Sequence, residues 1–212
     1  INGEIYFDKP LLSYWLIIIP GLLTGTVNEF FIRLPSVLAA LAGIWAIFKL
    51  GEKLFDRRNG YLAAWIMLTC YGLVFWARKG AADIENMTAI VLAIYWYVLR
   101  RDKPGFVSYF IFMLICVIGA HAKGLPAIVV PVIAVLPDLL RQKRWKQHLR
   151  WSVLAAALPA LAVYLLPFIL AAAVPLPAGW QYPSNFDNLV MPAWTAKWHN
   201  ELCGLYLVWK EN

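Results

Sequence analysis

The chain has 212 residues, of which 62% are hydrophobic and 15% aromatic, and its formal net charge is +7. Soluble domains are about 45–50% apolar, so this composition, with a mean hydropathy of +0.64, excludes an ordinary soluble enzyme and indicates an integral membrane protein. The three cysteines, Cys70, Cys116 and Cys203, show no metal or disulfide spacing, and the first two lie inside apolar runs as expected small core hydrophobes. The chain opens at Ile1 rather than Met and stops at Asn212 with no polar tail, so it is read as a fragment open at both ends.

A charged pair, Asp8-Lys9, stands with Pro10 at the lip of the first apolar run. That run, Leu11 to Val27, is interrupted by Pro20-Gly21 and Gly25, which suits an interfacial or re-entrant segment better than a span. Spans are expected over Leu34–Phe48, Gly60–Ala77, a helix from about Ala81 to Leu99, Gly105–Ala122, Gly124–Pro137 and Trp151 to about Val174. Asp83 and Glu85 fall in the first turns of the third of these. His121-Ala122-Lys123-Gly124 hinges the fourth and fifth. The predicted architecture is an all-α, polytopic transmembrane helical bundle of about six spans plus the N-terminal segment. Residues 1–174 form the membrane region, and residues 175–212, rich in Pro, Trp and Asn, form an extramembrane loop entering another helix.

Alternate connections carry twelve of the nineteen Lys and Arg residues, and the other side carries seven. The positive-inside rule puts the twelve in the cytoplasm. The net charge is therefore mostly a topology signal, and no nucleic-acid partner is expected.

The other, outer side then gathers ionisable groups from four separate segments: Asp8 and Lys9; Arg78, Asp83 and Glu85; His121 and Lys123; Glu201 and Glu211. Each has a bland reading. Arg78, Lys79 and Lys123 can be interfacial anchors. Asp83 and Glu85 at a helix start gain about 0.3–1 kcal/mol from the macrodipole. His121 reads as a hydrogen-bonded interfacial residue rather than a metal ligand. Taken together, cations beside carboxylates at a membrane surface suit a phosphate on a lipid headgroup. Nearby carboxylates could deprotonate a hydroxyl or hold a divalent metal.

The residues also carry a resemblance. Asp8-Lys9-Pro10-Leu11-Leu12-Ser13-Tyr14-Trp15 resembles the acid-Lys-Pro-Pro-x-x-Tyr-Trp motif of bacterial polyprenyl-phosphate-dependent glycosyltransferases. These are GT-C-fold, family 39-like membrane enzymes that include aminoarabinose transferases of lipid A and relatives of protein O-mannosyltransferases. Further segments are similar in the same order: Arg33-Leu34-Pro35-Ser36, the turn from Leu50-Gly51 to Arg57-Arg58, Arg78 with Asp83, Lys123-Gly124-Leu125-Pro126, and Trp209-Lys210-Glu211-Asn212.

The resemblance implies an inverting glycosyltransferase of the bacterial inner membrane. It would move a sugar from a polyprenyl-phosphate donor to an acceptor (lipid A, a glycan or a protein) at the periplasmic face. Lys9 would meet the carrier phosphate, with Tyr14, Arg78, Asp83, Lys123 and Asn212 as further substrate-binding positions. Asp8 and Glu211 would stand near a divalent metal or the donor. Asn212 replaces a histidine found in some members, which sets the chain apart from those in metal binding. The general base is expected before Ile1, so the 212-residue piece is expected to be inactive alone. Two rival readings are a transporter or flippase of lipid-linked sugars and a non-catalytic membrane scaffold. Against the first, charges avoid the middle of the spans and no internal repeat is evident.

Overall fold

Where the sequence runs apolar, the backbone satisfies its own hydrogen bonds by coiling, the solution a lipid environment demands. The computed structural model describes residues 12–25, 28–103, 105–141 and 151–173, and the elements among them are helices. Residues Pro10–Leu161 form one compact unit; residues 162–173 belong to a second. The expected loop over 175–212 lies outside the described residues.

Helix α1, Leu12–Thr24, contains Pro20, and the Thr24 hydroxyl donates to the Pro20 carbonyl at 2.9 Å. Its 13 residues reach only about 20 Å at the usual rise, short of a hydrocarbon core of about 30 Å. α2, Glu29–Leu54, is capped by Asn28, whose side chain accepts from the Phe31 N–H at 3.1 Å. α3, Arg57–Thr69, is capped by Asp56, which accepts from the Asn59 N–H at 2.8 Å. α4, Tyr71–Ala77, follows after a 60° bend. Then come α5, Ala82–Arg100; α6, Phe106–Ala122; α7, Pro126–Arg141; and α8, Trp151–Ala173.

The all-α expectation holds, and three details differ from it. The expected span Leu34–Phe48 is the middle of a helix of 26 residues, because charged flanks at Glu29, Arg33 and Lys49 stay helical beyond the apolar stretch. The expected span Gly60–Ala77 is two helices that break at Cys70. Just before the break, the Thr69 hydroxyl donates back to the Trp65 and Ile66 carbonyls at 3.0 and 3.2 Å, a pattern that bends helices. Cys70 is exposed at this break, not a core residue, whereas Cys116 is buried as expected. By length and composition, α2 and α5 can each cross a membrane, and α3 with α4 makes a third span if the bent pair counts as one. α6 and α7 have 17 and 16 residues, about 25 Å at the usual rise.

α5 is the central post and packs on α2, α6 and α7. Its buried face is Ile84, Ala89, Ala93 and Val98. Contacts are close because the facing residues are small, the means by which membrane helices associate without a hydrophobic drive between them. A Cβ placed on Gly119 of α6 would come within 2.5 Å of the Ala89 Cβ and 2.6 Å of the Ala127 Cβ. A Cβ on Gly60 would lie 2.7 Å from the Phe48 carbonyl oxygen, so α2 and α3 cross almost backbone to backbone. The outward residues of these helices are large and apolar, among them Leu38, Leu41 and Trp45 on α2 and Leu62, Trp65 and Ile66 on α3. That surface suits lipid.

The helices gather their termini into two ends. One holds the starts of α2, α5 and α7 and the ends of α4 and α6. Ser13 at the start of α1 donates to the Ala122 carbonyl at the end of α6 at 3.0 Å, and the end of α1 is separated from α2 by four residues. Both ends of α1 therefore sit at this same end of the bundle. That is the placement expected of a non-spanning N-terminal segment.

Candidate functional site

The end of the bundle that α1 adjoins is built by local constraints that can be followed residue by residue. α4 terminates at Ala77, and the chain turns through Arg78, Lys79 and Gly80. Gly80 has φ +63°, and a Cβ there would lie 2.8 Å from the Ile32 carbonyl oxygen, so only glycine lets this turn lie against α2. α5 then starts after Ala81, which offers no side-chain cap. A neighbouring helix supplies the missing polarity: Ser36 Oγ of α2 is 2.9 Å from Glu85 Oε1 and 3.5 Å from the Ala81 carbonyl. Ser36 itself is buried.

At the α6–α7 turn, the Lys123 N–H closes the last turn of α6 on the Gly119 carbonyl at 3.2 Å. Gly124, with φ +125°, redirects the chain into α7. The Lys123 ammonium forms an ion pair with the Asp83 carboxylate, and both side chains are partly exposed, at 49% and 31%. Two expected site residues, 40 positions apart, are thus joined. An exposed ion pair is worth only about 0.2–1 kcal/mol, so its interest is the held position of a cation rather than stability.

The cations differ in what they do. Lys79 lies over the Phe75 ring at 4.1 Å and near the Trp76 ring at 5.7 Å, the posture of an interfacial anchor. Arg33 pairs with Glu29 one turn away at 3.1 Å, both exposed. Arg78 is exposed and makes no side-chain hydrogen bond or ion pair among the described residues. It is the available guanidinium of this end, with five donors in a planar fork suited to phosphate. Asp83 has more than a helix dipole to answer to, since it holds Lys123, and Glu85 is engaged by Ser36. Glu85 Oε2 is buried with no hydrogen-bond partner.

Tyr14 is exposed on α1, beside the Ser13 that ties α1 to Ala122. His121 is half-buried in the last turn of α6. Lys9, Asp8, Glu201, Glu211 and Asn212 lie outside the described residues. Among the described residues no group of three or more His, Cys, Asp or Glu side chains could hold a metal ion.

Three polar side chains help assemble this end: Ser13 and Ser36, quoted within motifs but given no role in the sequence reading, and Asn86, which that reading did not single out. Asn86 is buried and donates from Nδ2 to the Gly119 and Gly124 carbonyls at 3.0 and 3.3 Å. The signal available was general: a polar residue in an apolar span must find a partner, and usually finds it on another helix.

Residues 8–169 match the family described as dolichyl-phosphate-mannose-protein mannosyltransferase. The chain is 32% identical over 189 residues to an undecaprenyl phosphate-alpha-4-amino-4-deoxy-L-arabinose arabinosyl transferase of Enterobacter sp. (strain 638), covering 84% of this chain and 32% of that protein. The like-named protein of Edwardsiella ictaluri (strain 93-146) is 34% identical over 188 residues, 85% of this chain and 33% of its own length. That of Pseudomonas aeruginosa (strain UCBPP-PA14) is 30% identical over 178 residues, 80% and 31%. The chain spans about a third of the length of the curated relatives it matches. No solved structure matches.

Proposed function

We propose that this chain, which belongs to the dolichyl-phosphate-mannose-protein mannosyltransferase family, serves transfer of a sugar from a polyprenyl-phosphate donor to an acceptor at the membrane surface. The observation that carries the reading is a cation held in place at the same end of the bundle as an unpaired one. Lys123 is fixed by Asp83 at the same end of the bundle where Arg78 is exposed and unpaired among the described residues. Lys9 lies outside the described residues, and its part in carrier-phosphate binding is what the motif resemblance implies. The relatives' names specify an undecaprenyl-phosphate-linked 4-amino-4-deoxy-L-arabinose as donor; we take that donor class, with lipid A as acceptor, as the reading to test first.

The reaction is a displacement at the anomeric carbon. The acceptor hydroxyl gives up its proton to a base and attacks as the bond to the polyprenyl phosphate oxygen breaks, inverting the centre and releasing polyprenyl phosphate. Negative charge grows on the leaving phosphate. Fixed ammonium and guanidinium groups aimed there lower the barrier, the electrostatic effect that is usually the largest single contribution. The Lys and Arg distribution in the sequence supports placing this end at the periplasmic face of the inner membrane. The described helices also keep Asp, Glu, Lys and Arg near their ends, which favours surface chemistry over a transport path through the midplane.

The experiment is to supply membranes containing the full-length protein with radiolabelled undecaprenyl-phosphate-linked 4-amino-4-deoxy-L-arabinose and lipid A. The reading expects labelled lipid A and free undecaprenyl phosphate in equal amounts. Donor that crosses the bilayer without release of undecaprenyl phosphate would instead support the transporter.

A further inference from the structure

Asn86 is 5% exposed and sits in the second turn of a membrane-spanning helix, where an apolar side chain would pack without desolvation cost. Leaving a buried amide unbonded costs roughly 2–7 kcal/mol, depending on the reference state. Its Nδ2 avoids this by donating to the Gly119 and Gly124 carbonyls, at 3.0 and 3.3 Å. These two carbonyls bracket Lys123 on either side. The Gly119 carbonyl is also the acceptor for the backbone N–H of Lys123 itself, at 3.2 Å. Among neutral side chains, only Asn and Gln carry two N–H donors on one nitrogen, so few residues could make both bonds.

Asp83 lies three positions before Asn86 and so on the same face of α5. It holds the ammonium of the same lysine. α5 therefore grips one turn at two points, the backbone through Asn86 and the side chain through Asp83. Ser13 of α1 adds a bond to the intervening Ala122 carbonyl at 3.0 Å. A lysine on a four-carbon stem is a poor catalyst unless its backbone is fixed, because a misplacement of about 1 Å can cost about a hundredfold in rate.

We propose that Asn86 is a positioning residue for Lys123: its two hydrogen bonds to the α6–α7 turn hold the lysine where charge develops on the leaving phosphate. The proposal rests on the reading of Lys123 as a phosphate-holding cation. It makes Asn86 matter for turnover, not for donor capture, and only through the lysine.

The test is a double-mutant cycle in the full-length protein in its membrane. It reads kcat and KM for undecaprenyl-phosphate-linked 4-amino-4-deoxy-L-arabinose per folded molecule. Asn86→Ala is expected to lower kcat about 10- to 100-fold while KM stays within about twofold, and Asn86→Gln to restore part of the loss. In a Lys123→Ala background, Asn86→Ala is expected to add less than about a twofold further loss. Should Asn86→Ala not fold, the same cycle is run with Asn86→Ser, which keeps a single donor. Losses that multiply in the double variant would overturn the proposal, as would less folded protein at unchanged kcat. Lys123→Ala with normal turnover would remove the lysine from the phosphate site and the proposal with it, an outcome separable from failure of Asn86 alone.

Discussion

The two ends of the bundle are built from the same residue types and use them differently. At the end opposite the site, Asp138 accepts from the Tyr97 hydroxyl at 2.8 Å and from Arg101 at 3.2 Å, and both partners of the ion pair are only about a quarter exposed or less, at 20% and 24%. Lys49 bonds Glu52 at 2.7 Å, Asp56 caps α3, and Arg57 and Arg100 lie near the rings of Tyr61 and Trp96. There the charges are largely spent on protein partners, across helices at Asp138 and within a single helix or its cap at Lys49, Asp56, Arg57 and Arg100. At the site end, the principal ion pair is more exposed, one guanidinium has no described partner, and the polar fastening falls to serine and asparagine. Neutral groups that do the fastening leave charges free for a ligand. The lesson is that a cation at a membrane surface is most useful to a ligand where it is held in position and still partly exposed.

Substitutions at the two ends should therefore differ in kind. Lys123→Ala is expected to lower kcat about 10²–10³-fold, the usual cost of deleting one preorganised group facing transition-state charge. Steady-state transfer assays check this against the amount of folded protein. Arg101→Ala, at the other end, strips Asp138 of its half-buried partner and should cost about 1–3 kcal/mol of stability, with kcat of the surviving protein unchanged. Thermal or denaturant unfolding in detergent would show it. A large kcat loss in Arg101→Ala would erase the contrast between the ends.

Arg78→Ala should raise KM for the donor about tenfold, the worth of one charged hydrogen bond, with a smaller effect on kcat. Lys79→Ala is the smallest: a cation–π contact near the surface is worth about 0.5–1 kcal/mol, so insertion weakens slightly and turnover stays within about twofold. If Lys79→Ala proved more damaging than Arg78→Ala, the assignment of anchor and ligand would be reversed.

Most of the fold could be read from hydropathy because lipid solubility and helicity coincide along this chain. The convergence of residues 78–86 and 121–123 at one end followed from counting alternate connections, and the Asp83–Lys123 pair is its outcome. Helix limits were less legible: Glu29 and Lys53 are helical although no apolar pattern includes them, since hydropathy marks where lipid is favourable and not where backbone hydrogen bonding stops. The break at Cys70 itself carries neither proline nor glycine; the Thr69 hydroxyl bonds back to the Trp65 and Ile66 carbonyls there, a choice of acceptor that no pattern announces. Asn86 was hidden for a related reason. Its two acceptors are backbone carbonyls 33 and 38 residues away, visible only once α5 and α6 are packed together.

Photo-crosslinking reads whether the end carrying Arg78, Asp83 and Lys123 receives a polyprenyl phosphate. A photoreactive undecaprenyl phosphate, with the reactive group next to the phosphate, is irradiated with the protein in bilayers and the labelled peptides are sequenced. Label is expected within residues 78–86 and 119–126, reduced by excess unlabelled undecaprenyl phosphate and by Lys123→Ala. Label concentrated instead around residues 49–58, 100–103 and 138–141, with no effect of Lys123→Ala, would contradict receipt of the phosphate at this end.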